Sequence, residues 1–250
     1  METVFRTDVG QLREHNEDAG GIFQNQAGDY LAVVADGMGG HQAGDVASQM
    51  AKDLLKNAWE PLEHSFTPEK AEEWLRDQIQ TVNESIFRKA EASSSLRGMG
   101  TTIVAAICTS SFVAIAHVGD SRAYFFNGQE LLLKTEDHSL VNELKKNGQL
   151  TEEEAENHPR KNVLLRALGT EEQTKIERVV FEWVAGEGVL LCSDGLTNKV
   201  SAEDFSEILL SDLPLTEQAE EIIHMANERG GEDNITLAAV LHSPDEKGLT

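Results

Sequence analysis

Residues 98–133 restrict the fold of this chain more than any other stretch. Residues 103–108 and 112–118 are apolar runs of strand length, separated only by Thr109-Ser110-Ser111. Tyr124-Phe125-Phe126 and Leu131-Leu132-Leu133 flank an Asn127-Gly128 turn. Strands joined by turns this short pair antiparallel. No helical segment lies between them, so a doubly wound parallel sheet, which needs a long crossover at each step, is excluded.

The other segments fit around that core. Residues 3–8 form a first strand, closed by Val9-Gly10, and residues 29–36 contain the apolar run from Tyr30 through Ala35. That run is short and rich in β-formers, which gives a buried strand, and the glycines after Asp36 are expected to break it. A helix follows over residues 43–59, with Val46, Ala47, Met50, Ala51, Leu54 and Leu55 on one side. Thr67 and Pro68 supply a cap and a first-turn proline for a second helix. Its residues Ala71, Trp74, Leu75, Ile79, Val82, Ile86 and Phe87 recur at three and four, the spacing of a core-packing stripe. Residues 138–166 are polar and helical in segments, with a capped acidic first turn at Thr151-Glu152-Glu153-Glu154. Residues 176–181, 189–192 and 234–241 return to strand, and residues 201–210 and 216–227 are helical. No linker divides the chain, which points to one domain over residues 1–250 with helices covering antiparallel sheet. The pattern leaves open whether that sheet is single or double.

Charge narrows the partners. With 44 acidic and 21 basic side chains among 250 residues, the formal charge is -23. Such a surface repels nucleic-acid backbones and anionic membranes. Cys108 and Cys192 lie inside apolar runs and read as small buried hydrophobes. There is no basic-then-apolar leader, and no apolar stretch approaches the roughly 20 residues that span a bilayer, so a cytoplasmic location is expected.

Against this background stands a set of short acidic motifs, most with aspartate beside glycine: Asn16-Glu17-Asp18, Asp36-Gly37, Gly119-Asp120-Ser121, Ser193-Asp194-Gly195 and Gly231-Glu232-Asp233. Asp-Gly is among the commonest turn dipeptides, and any one of them alone is ordinary turn chemistry. Together, at the ends of separate strands, they make an oxygen-rich set suited to hard divalent cations. Asp36 with the neighbouring Gly37 carbonyl, Asp194 and Asp233 could hold two ions that share a bridging ligand. Such a pair acidifies water and stabilises charge on a transferring phosphoryl group. Arg13 lies just before Asn16 and offers a planar fork for two phosphate oxygens, with Glu17 and Asp18 as its alternative, purely structural partners.

The ordered set resembles the metal-dependent serine/threonine phosphatases of the PPM/PP2C family, in its small bacterial form. The matching pieces run through the whole chain: Arg13 through Asp18, Val34 through His41, Gly98-Met99-Gly100-Thr101-Thr102, Ala116 through Arg122, Glu136-Asp137-His138-Ser139, Leu191 through Thr197, and Gly231 through Thr236. The resemblance implies an α+β, four-layer α/β/β/α sandwich of two central antiparallel sheets flanked by helices. It implies two Mn2+ or Mg2+ ions, with Asp36 bridging, the Gly37 carbonyl on the first, and Asp194 and Asp233 on the second. Glu17 and Asp18 would act through water, Arg13 would bind substrate phosphate, and Asp120 with Asp194 would hold a third ion. Catalysis would be direct attack on phosphorus by a water activated by the two ions, with no phosphoenzyme and no nucleophilic role for Cys108 or Cys192.

The position that carries a histidine in animal members is Met38 here, which has no proton to donate. His41, three residues on, is out of register with it and could either reach the channel as the acid or cap the following helix, and His117 lies inside an apolar strand and reads as structural. Residues 138–166 resemble the flap subdomain of bacterial members, whose Glu152-Glu153-Glu154 and Arg160-Lys161 would meet substrate or regulate access. By resemblance, the partners are phosphorylated proteins, among them a membrane-anchored serine/threonine kinase and its targets, and a monomer is expected. A nuclease would want a basic track, which is missing. A degenerate regulatory domain would lack Asp36, Asp194 or Asp233, and a calcium module would need a contiguous loop in register.

Overall fold

The structure is a computed structural model and describes residues 1–39 and 43–243. Its elements, in chain order, begin with strands β1 (Glu2–Asp8), β2 (Asp18–Gln24) and β3 (Tyr30–Met38), followed by helices α1 (Ala43–Trp59) and α2 (Pro68–Ala92). Strands β4 (Gly100–Thr101), β5 (Ile103–Cys108), β6 (Phe112–Val118), β7 (Arg122–Phe126) and β8 (Leu131–Leu133) come next, then helices α3 (Leu140–Lys146) and α4 (Glu152–Glu156). The chain continues through β9 (Glu177–Glu182), β10 (Gly188–Cys192), α5 (Asp194–Thr197), α6 (Ala202–Leu209), α7 (Leu215–Glu228) and β11 (Ile235–Leu241).

The strands form two sheets, β1-β11-β10-β7-β8 and β2-β3-β5-β6-β9, with β4 added to β3, and every ladder is antiparallel. Alternation along β3 explains the layering. Leu31, Val33 and Ala35 face α1 and α2, meeting Leu55, Trp59, Leu75 and Ile79. Ala32 and Val34 face the other sheet, meeting Leu191, Ala238 and Val240. On the far side of that sheet, Leu190, Leu237 and Ala239 pack with Phe205 and Ile222 of α6 and α7. A strand buried on both faces has to be apolar at every position, which is why these segments read as continuous runs. The result is the expected α/β/β/α sandwich.

The helices follow their local signals. The Thr67 hydroxyl accepts the Lys70 N–H at the start of α2, and Thr151 with Glu154 forms a reciprocal capping box on α4. Trp59 is fully buried, donates its ring N–H to the Phe23 carbonyl at 3.0 Å, and meets Trp74 edge-on at 5.2 Å. Trp74 is thus part of the packing, as its helical spacing suggested.

Two local expectations need correction. The glycine after Asp36 does not break the strand: β3 runs through Asp36-Gly37 to Met38 by pairing Gly37 with Thr101 and Met38 with Gly100 of β4. The break falls at Gly39, where φ is +145°. The chain also contains β2, whose Gly20-Gly21 pair hides a strand that its antiparallel register against β3 creates. A further point follows from the topology. β6 and β7 lie in different sheets, so Gly119-Asp120-Ser121 is the corner at which the chain crosses from one sheet to the other.

Candidate active site

The sheet ends bring the acidic motifs together. Asp18 at the start of β2 sits directly opposite Asp36 on β3. Like charges so placed repel, so the pairing has to be held by other contacts. The Asp36 N–H donates to the Thr102 hydroxyl at 3.0 Å, and the Asp36 carbonyl accepts the Thr102 N–H at 2.8 Å and the Thr101 hydroxyl at 2.9 Å. The Gly37 N–H donates to the Glu17 carbonyl at 3.1 Å. Gly37 is required for close approach: a Cβ there would lie 2.2 Å from the Gly44 carbonyl oxygen and 2.5 Å from that of Glu17.

The second sheet supplies the other carboxylates. Asp194 opens α5, separated from β10 by Ser193 alone, and its Oδ2 accepts the Asn198 amide at 3.2 Å. Asp233 precedes β11 and pairs with Arg13, Nη2 to Oδ2 at 2.7 Å. Asp120 stands on the corner between the sheets. Asn234 ties the edges together: its amide donates to the Val9 and His15 carbonyls, and its Oδ1 accepts the Glu17 N–H at 2.8 Å. Arg13, Glu17, Asp36, Gly37, Asp120, Asp194 and Asp233 line one cleft of about 280 Å³, together with Asn162 and Leu164 from residues 138–166.

Asp18 is not on the cleft wall. It lies behind it, 5% exposed, with Oδ2 accepting the Ser193 hydroxyl at 2.8 Å and Oδ1 without a partner among the described residues. Arg13 takes Asp233 as its partner rather than Glu17 or Asp18.

The electrostatics record what such crowding costs. Burial, then the charges of Asp18, Asp194, Asp120 and Asp233, hold the Asp36 carboxyl well above the usual range. Burial pushes Asp18 up to about 7 and, with Asp194 and Asp137 nearby, Asp120 up to about 8. Asp194 is raised by burial and Asp233, and Glu17 by burial. Carboxylates gathered this closely either stay protonated or gain cations. Among the described residues, Arg13 is the only cationic side chain lining the cleft. A cleft lined by several carboxylates, with the unpartnered Asp18 oxygen buried behind it, fits Mg2+ or Mn2+, and the single soft donor on its wall among the described residues is the Met38 thioether.

Met38 lines the cleft as expected, whereas His41 lies outside the described residues. His117 is not on the cleft wall. It is buried, and its Nε2 meets the Glu136 carbonyl at 3.0 Å. Cys108 and Cys192 are unlinked and fully buried, and burial pushes the Cys192 thiol up to about 12, the environment of inert packing groups. Sequence reasoning missed the roles of Thr102, Ser193 and Asn234. All three stand inside the motif pieces quoted above, but nothing in those pieces said which carboxylate or strand edge each would hold.

The sequence model described as "Protein phosphatase 2C" matches residues 11–242. The chain is 50% identical to "Serine/threonine phosphatase stp" of Listeria monocytogenes, over 99% of this chain and 98% of that protein. It superposes on the crystal structure of the serine/threonine phosphatase Stp1 from Staphylococcus aureus with a TM-score of 0.93, at 37% identity, covering 97% of this chain and 95% of that one. A solved catalytic domain of the serine/threonine protein phosphatase PstP, in complex with two manganese ions, aligns with a TM-score of 0.84 at 32% identity, covering 97% of this chain and 98% of that one.

Proposed function

Because this chain belongs to the protein phosphatase 2C family, as a serine/threonine phosphatase of the bacterial type, we propose that it hydrolyses phosphoserine and phosphothreonine in proteins by direct, metal-assisted attack of water. The observation that carries this reading is the convergence of Asp36, Asp120, Asp194 and Asp233 on one cleft whose only cationic lining side chain among the described residues is Arg13. The manganese in the PstP relative supports the same assignment.

Asp36 would bridge two ions, with the Gly37 carbonyl on the first and Asp194 and Asp233 on the second. Glu17 and Asp18 would act through water, and Asp120 with Asp194 would take a third ion. Mn2+ or Mg2+ bound there supplies a Lewis acid that makes water nucleophilic near neutral pH and neutralises phosphoryl charge. Arg13 sits at the mouth on a half-exposed ion pair, free to exchange Asp233 for two oxygens of the substrate phosphate. Met38 cannot protonate the departing alkoxide; water in the cleft would supply that proton, with His41, outside the described residues, as the alternative donor.

Residues 1–250 act as one domain, with 138–166 as a flap whose Asn162 and Leu164 reach the cleft. The substrates include a membrane-anchored kinase and its targets, and the protein works as a cytoplasmic monomer. No helix among the described residues is long and apolar enough to cross a membrane.

The test is release of phosphate from a phosphothreonine peptide with Mn2+, with Mg2+ and with chelator. Turnover that needs the ion and disappears in Asp36→Asn is the expected result. Turnover that persists in chelator would overturn the metal assignment, and none by folded, metal-loaded protein would overturn the activity.

A further inference from the structure

Asp120 stands on a crossing between the sheets, where a carboxylate would be loosely placed unless the corner is clamped. The residue before it, Gly119, takes φ +108°, and a Cβ there would lie 2.7 Å from the Thr102 side chain. The Gly119 N–H donates to His138 Nδ1 at 3.1 Å, and the Gly119 carbonyl accepts the His138 N–H at 3.0 Å. Two residues after Asp120, Arg122 donates Nε and Nη2 to the two oxygens of Asp137, at 2.9 and 2.6 Å. Consecutive residues Asp137 and His138 thus grip the chain on either side of Asp120.

The same pair anchors residues 138–166. The His138 carbonyl accepts the Leu165 N–H at 2.8 Å, and the Leu140 N–H donates to the Val163 carbonyl at 2.8 Å, so the two ends of the segment are zipped together at this point. The Asp137 carbonyl accepts the Asn142 side-chain amide at 2.8 Å. His138 is 6% exposed, and with Nδ1 accepting, its ring proton sits on Nε2, facing Glu177 at 3.4 Å. His117, His138 and Glu177 also resemble a metal-ligand set. The two rings, however, are stacked at 4.8 Å and 14°, so no ion can lie in both ring planes, and Glu177 already pairs with Arg166 and Lys175.

We propose that His138 and Asp137 are positioning residues that fix the Asp120 carboxylate in the cleft and couple its placement to the closed base of residues 138–166. The inference rests on the reading of Asp120 as a cation-binding carboxylate.

Asparagine places an oxygen acceptor near the position of histidine Nδ1, whereas glutamine extends past it. His138→Asn therefore retains protection of the Gly119 amide from hydrogen exchange and keeps Mn2+ affinity, measured by calorimetry, close to that of the parent. His138→Gln loses that protection and weakens Mn2+ binding about 10-fold, in the range seen when groups that orient metal ligands are removed. In an Asp120→Asn background the His138→Gln effect on Mn2+ disappears, because the carboxylate it positions is gone. If the glutamine variant does not fold, Asp137→Asn carries the same cycle. Equal Mn2+ affinity and Gly119 protection in the asparagine and glutamine variants would overturn the proposal, as would a loss that persists without Asp120. Failure of the phosphatase reading would show instead as absent turnover in the parent, with Gly119 exchange still reporting on the clamp.

Discussion

The hydroxyl of Ser193 donates to Asp18 Oδ2 at 2.8 Å across a sequence separation of 175 residues, and the same oxygen accepts the Thr236 N–H at 3.0 Å. One hydroxyl thereby joins the two sheets behind the cleft. It does not cap α5, although Ser193 stands at the N-cap. Ser193→Ala leaves a buried carboxylate oxygen and a buried N–H without this partner. We expect a loss of about 1–3 kcal/mol, measured by urea unfolding. A change below about 0.5 kcal/mol would show that the link is dispensable.

Close approach rather than turn geometry explains Gly37. Its missing Cβ is where the Gly44 and Glu17 carbonyls sit, and both are backbone atoms of the walls that hold Asp36. Gly37→Ala is expected to cost more than about 4 kcal/mol or to prevent folding. A soluble variant with the parent's melting temperature would contradict the packing.

That example marks where sequence stops informing. The apolar runs at residues 103–108 and 112–118 announced buried strands because both faces are covered, and the acidic motifs at separate strand ends announced carboxylates that the fold gathers on one cleft. β2 gave no such signal: Gly20 and Gly21 have no strand preference, and only pairing with β3 makes them a strand. The hydroxyls that hold the carboxylates were equally hidden. Thr102 reaches Asp36 across 66 residues and Ser193 reaches Asp18 across 175, and such pairs exist only after the sheets are stacked.

The pH dependence of stability without metal has a definite sign. Asp18 and Asp120 have folded pKa values near 7 and 8 against an ordinary value of 3.8. The stability they contribute is complete below 3.8 and is lost as pH rises through 7 and 8. His138, lowered to about 4 from 6.5 by burial and then by His117, acts in the opposite sense but only below 6.5. In chelator, stability should therefore fall between pH 6.5 and 8, and saturating Mn2+ should remove the slope. A slope that is flat or rising in chelator would contradict the buried-carboxylate account.

Removing one charge from the cluster separates stability from activity. Asp36 is raised by burial and by four neighbouring aspartates, so Asp36→Asn relieves repulsion in the metal-free chain. The variant should unfold at higher urea than the parent in chelator while losing more than about 100-fold in Mn2+-dependent turnover. A variant that is both less stable and inactive would assign Asp36 a structural role.

Arg13 should show opposite signs in two measurements. Its ion pair with Asp233 is about half exposed, 47% and 37% by side chain, so its loss costs at most about 1 kcal/mol. The guanidinium nevertheless competes with any cation for Asp233. Arg13→Ala should thus leave Mn2+ affinity unchanged or tighten it up to about 5-fold, the equivalent of that 1 kcal/mol. If the same fork grips substrate phosphate, kcat/KM should fall by about 10- to 1,000-fold. Calorimetry and steady-state kinetics on one preparation read both. Weaker Mn2+ binding in the variant would mean that Arg13 helps build the cation site. Unchanged kcat/KM would leave Arg13 with structural contacts alone, the ion pair with Asp233 and the Nε–H bond to the Glu232 carbonyl.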